Sequence, residues 1–101
     1  MTELNELRAR LDEVDERMLA AITARFDVIR EIAKHKAVAG IAMMQPTRVS
    51  YVRQRYADHA KSLGVAPERL AAIAGELIAA ACQLEDELMD DERLRATEHT
   101  E

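Results

Sequence analysis

From residue 3 to residue 39 the chain contains neither glycine nor proline, and its apolar side chains recur three and four apart. Leu4, Leu7, Leu11, Val14, Met18 and Ala21 trace that spacing, and Val28 and Ile32 extend it. This is the seam of a helix packed along its whole length. Thr2 is placed to cap the helix, Glu3 suits its first turn, and Gly40 ends it. At 1.5 Å per residue the helix spans about 54 Å. A compact domain of about 100 residues has a radius of gyration of only about 13 Å. The first helix is therefore too long for the rest of its own chain to cover.

The remainder supplies two further helices. Pro46 suits a first helical turn, Val49, Val52, Tyr56 and Leu63 form a stripe, and Gly64 closes the second helix. Pro67 opens the third, with a seam of Leu70, Ile73, Leu77, Ala81, Leu84 and Leu88. After Asp90 the chain turns polar, and residues 95–101 are expected to fray. The prediction is an all-α fold, one domain over residues 1–101, with three helices per chain in an intertwined homodimer. The competing reading kinks the first helix near Thr23 into a monomeric four-helix bundle. No helix breaker stands there to produce such a kink.

Composition excludes several function classes. With 14 basic and 19 acidic residues the formal net charge is −5, which argues against a nucleic-acid or anionic-membrane binder. No apolar run reaches transmembrane length and no signal-peptide pattern opens the chain. The single cysteine, Cys82, has no internal disulfide partner, and a cytoplasmic protein is expected. His35, His59, His99 and Cys82 share no metal-ligand spacing, so no metal is expected.

Charges appear where the first seam should be apolar. The position after Ala21 is Arg25, and a buried unpaired guanidinium is costly. Lys36 lies eleven residues on, about 20° around the helix from Arg25 and roughly 16 Å along it. The two cationic heads can lean together around a small anion. Ala21, Ile22, Val28 and Ile29 occupy the neighbouring helical positions, so no local carboxylate neutralises Arg25. The bland alternative has Arg25 reaching solvent or an acid of a partner chain. Arg8 lies about 100° from Arg25. It is either a surface charge or a visitor to a partner's pocket. Arg48, in the first turn of the second helix, is either solvated or held there by an anion. In the third helix Ala71, Ala72, Ala74, Gly75, Ala79, Ala80 and Ala81 form a run of small residues, which allows close packing or an unfilled cavity. Glu85 borders that face, as a solvated charge or as a hydrogen-bond partner for a substrate atom. With no nucleophile–base set and no phosphate loop, an enzyme of this kind works by positioning and electrostatics.

The strings LRARLDEVDERMLAAITAR at the start, KHK at 34–36 and QPTRV at 45–49 together resemble the all-helical chorismate mutases over nearly the full length. That resemblance implies an intertwined dimer and a pericyclic rearrangement of chorismate to prephenate, without cofactor or covalent step. It implies that Arg25 and the partner's Arg8 bind the two carboxylates of the substrate. Lys36 would bind a carboxylate and the ether oxygen whose bond breaks. Arg48 would support the anion, and Glu85 would stand opposite Lys36 at the same oxygen. Gln45, Val49 and Ala81 join the substrate-binding set, Ala81 where some members place a hydroxyl.

One departure bears on the substrate. Val49 stands where many members have a Glu that receives the 4-hydroxyl. The fuller string MMQPTRV, with QLEDEL at 83–88, is similar to the 4-amino-4-deoxychorismate mutases of antibiotic pathways. A PxRV stretch also occurs in isochorismate pyruvate lyases of the same fold, so pyruvate elimination is an alternative. A non-catalytic helical dimer that binds a partner protein is another. It would not need Arg25 and Lys36 on one face beside a small-residue helix.

Overall fold

The structure is a computed structural model that describes residues 2–41 and 45–99. It contains three helices, α1 (Glu3–Ala39), α2 (Pro46–Leu63) and α3 (Pro67–His99), and no strand among the described residues. The limits follow from local chemistry. The Thr2 hydroxyl accepts a hydrogen bond from the Asn5 backbone N–H at 3.2 Å, and Glu3 and Glu6 sit in the positive first turn of α1. Gly40 (φ 69°) and Gly64 (φ 70°) take the left-handed conformation that stops α1 and α2. Pro46 and Pro67 begin α2 and α3 where a missing N–H costs nothing.

α1 runs through Thr23 without a break, which disposes of the kinked four-helix arrangement. The Thr23 hydroxyl donates to the Leu19 carbonyl at 3.0 Å, a bond made within an intact helix. α3 continues to His99, and residues 100–101 of the expected frayed tail lie outside the described residues. Leu94, Arg95 and Ala96 are good helix formers and extend α3 after its apolar seam has ended.

α3 packs against both other helices, while α1 and α2 do not pack on each other. The three lie side by side in a slab of 67 × 32 × 14 Å with a radius of gyration of 18.4 Å. Its thickness is little more than the 10–12 Å diameter of one helix. Among the described residues the buried apolar set is Ala33, Ala60, Ala74 and Ala81, and no large side chain is fully buried. Leu4, Leu7, Leu11, Val14 and Met18, the first half of the predicted seam, are all exposed, Leu11 at 59%. A chain with an uncovered leucine stripe and a core of alanines has not finished burying its apolar surface.

The buried faces also differ in detail from the predicted stripes. On α1, Val28 is exposed and the neighbouring Ile29 turns inward instead. On α2, Leu63 is exposed and Ala60 takes the contact. On α3, Ile73 points out and Ala74 in. Alanine at 60 and 74 allows α2 and α3 to approach closely. No helix is long and apolar enough to cross a membrane among the described residues.

Candidate active site

A cavity of about 240 Å³ opens where the second half of α1, the start of α2 and the middle of α3 converge. Each helix gives it one face. From α1 come Arg25, Ile29, Ile32 and Lys36, spaced four, three and four apart. The start of α2 adds Gln45, Arg48, Val49 and Val52, and α3 adds Ile78, Ala81, Cys82 and Glu85. Both sets follow a three-one-three spacing, which keeps the side chains on one side of a helix. The buried Ala81, at 5% exposure, leaves the room that a larger residue would fill.

The electrostatics of the cavity rest on three groups. Arg25 Nη1 is buried and makes no hydrogen bond. Leaving a buried charged donor unsatisfied costs about 1–3 kcal/mol or more. Such a group is poised for an acceptor that enters from outside. Lys36 Nζ donates to Glu85 Oε1 at 2.9 Å, with the two side chains only 14% and 6% exposed. The pair joins α1 to α3 across the floor of the site. At the rim, the Arg48 guanidinium lies 4.9 Å from the centroid of the Tyr51 ring, a cation–π arrangement that holds it near the opening.

Among the described residues the lining contains no histidine and no serine, and its one carboxylate is engaged by Lys36. What it offers is concentrated positive charge in a partly dehydrated space, which favours dianion binding and stabilises oxygen that gains negative charge.

Arg25, Lys36, Gln45, Arg48, Val49, Ala81 and Glu85, read from the sequence, all come together here. Arg8 does not. It lies on the exposed N-terminal half of α1, about 25 Å along the helix axis from Arg25. Cys82 is half-buried and lines the cavity. Ile29, Val52 and Ile78 were not singled out as lining. An apolar residue that walls a cavity carries the same sequence signal as one that fills a core.

The geometry agrees with what this chain is similar to. Residues 7–86 match the family model for chorismate mutase type II. Over 99 residues the chain is 39% identical to a 4-amino-4-deoxychorismate mutase of Streptomyces venezuelae, covering 95% of this chain and 96% of that one. Over 84 residues it is 37% identical to a 4-amino-4-deoxychorismate mutase of Streptomyces pristinaespiralis, covering 83% of this chain and 65% of that one. No solved structure matches at a comparable level. With a cationic cavity built on three helices and the family match covering most of its length, the chain belongs to the chorismate mutase type II family of isomerases.

Proposed function

We propose that the chain is a homodimeric mutase that rearranges 4-amino-4-deoxychorismate to the 4-amino analogue of prephenate. The single observation that carries the site is the buried, unpartnered Nη1 of Arg25 beside the Lys36–Glu85 pair. In this reading Arg25 takes one substrate carboxylate and Arg48 supports the anion from the rim. Lys36 reaches both a carboxylate and the ether oxygen. That oxygen gains negative charge as its bond to carbon breaks, so donors around it bind the transition state more tightly than the substrate. Lys36 supplies one such donor. Glu85 supplies a second when it carries a proton, since an ionised carboxylate only accepts. No bond to the protein forms at any step.

The dimer enters through the uncovered stripe of α1. A second copy packed on Leu4, Leu7, Leu11, Val14 and Met18 would bury the surface one chain leaves bare. It would also bring the partner's Arg8 to the cavity, to hold the other carboxylate. The amino substrate is favoured over chorismate by the likeness to both Streptomyces proteins and by apolar Val49 in the wall.

The test is product analysis after incubating the purified protein separately with 4-amino-4-deoxychorismate, chorismate and isochorismate. Rearrangement of the first, faster than of the second, is expected. Pyruvate release from isochorismate, with no rearrangement of the other two, would make the chain a lyase.

A further inference from the structure

A 4-amino substrate carries a basic nitrogen into a cavity built for anions. In water at neutral pH such a primary amine is largely an ammonium. The polar groups that would meet it are Arg25 and Lys36 from α1, Gln45 and Arg48 at the start of α2, and Cys82 and Glu85 from α3. Three are cations. The one acid among the described lining residues, Glu85, is buried and bonded to Lys36 at 2.9 Å. The imbalance extends beyond the cavity wall. The chain has 19 acidic residues, yet none falls from Ile32 to Ala57, the stretch that ends α1 and carries the α2 wall. The same stretch holds Lys34, Lys36, Arg48, Arg53 and Arg55. On the α2 side of the cavity Val49 and Val52 offer an ammonium no acceptor, and Gln45 offers only a neutral amide oxygen.

Resting on the proposed reaction, we infer that the site takes its substrate as the neutral amine and leaves the amine proton in the solvent. The ammonium form is rejected because it must shed water beside cations of like charge, with no free carboxylate to replace that water. The neutral amine keeps the two carboxylates that the cations bind and removes the repulsion. The partner's Arg8, if it reaches the cavity, adds to the same bias. Selection therefore acts on the protonation state of the substrate as well as on its shape.

The test compares kcat/KM for 4-amino-4-deoxychorismate with kcat/KM for chorismate across pH. The amine of the free substrate is titrated separately by NMR. Taking the ratio cancels ionisations of the enzyme, because both substrates meet the same groups. Where chorismate is not turned over, its inhibition constant against the amino substrate serves as the reference. The ratio is expected to rise about tenfold per pH unit below the amine pKa and to level off above it. A ratio that is flat or falls with rising pH means that the ammonium binds, and overturns the inference while leaving the reaction intact. No turnover of either substrate removes the reaction, and the inference with it. Val49→Glu places an acid on the α2 wall and should flatten the ratio. If the folded variant keeps the full slope, missing acid is not the cause.

Discussion

At the scale of single residues the site is marked by side chains that are costly where they sit. Arg25 presents a buried guanidinium nitrogen without an acceptor. Arg25→Met keeps the apolar stem and removes that nitrogen. It should leave the empty protein about 1 kcal/mol more stable and lower kcat/KM by roughly 10²–10³-fold. Denaturant melts beside steady-state kinetics check both halves, and a loss of stability would mean that Arg25 serves the fold instead. Lys36→Ala strands Glu85 in a nearly closed site and should cost about 3 kcal/mol as well as activity. Glu85→Gln substitutes a permanent donor of almost the same shape. Turnover that uses a donor at position 85 should therefore be at least as fast in the variant as in the wild type, read as kcat under the same conditions. A large loss of kcat in the folded variant would mean that position 85 does not serve as a donor to the ether oxygen. Arg25, Lys36 and Glu85 were legible in the sequence because a charge interrupts an apolar or small-residue stripe. Arg8 could be linked to the site only through family resemblance, since nothing in the spacing joins it to Arg25.

At the scale of helices, the ends were easier to read than the faces. Thr2, Gly40, Pro46, Gly64 and Pro67 each act through their own backbone or side chain, so the sequence states them directly. Gly64→Ala tests one of them. A Cβ at Gly64 meets nothing within 4 Å, so the cost is the left-handed backbone alone, about 1 kcal/mol, visible as a lower melting temperature. Faces are set over longer distances. A straight helix drifts about 20° per heptad from a strict seven-residue repeat. Over the length of α1 this amounts to about one residue's rotation, and it replaces Val28 by Ile29 on the inner face. The exposed half of α1 was read as a seam and remains one without a cover. Leu11→Glu should change the stability of an isolated chain by less than about 0.5 kcal/mol, because Leu11 is exposed within it. Its expected effect is on association, seen as a later elution and a smaller mass by light scattering. An unchanged mass would take α1 out of any interface between copies.

At the scale of the whole molecule the slab leaves a leucine stripe uncovered, and the proposed dimer would cover it. Sedimentation at micromolar concentration should give a mass of twice 11.3 kDa, and a monomer there would defeat the shared site. Arg8→Ala and Arg25→Ala should each be nearly inactive, yet mixing and reannealing them should recover about a quarter of wild-type activity, because half of the dimers then hold one intact site. No recovery would leave Arg8 outside the partner's cavity. The alanine core has a consequence for how such a protein lives in a cell. In the proposed dimer, a chain whose described residues include no fully buried large side chain would have little to hold it folded until it met a second copy, so its folding would be bimolecular and its survival would depend on dose. At low expression most chains would be single, open and available to proteases. Above the dissociation constant they would pair and persist. Enzyme level would then rise more steeply than synthesis rate, which gives the reaction a threshold without any regulatory ligand.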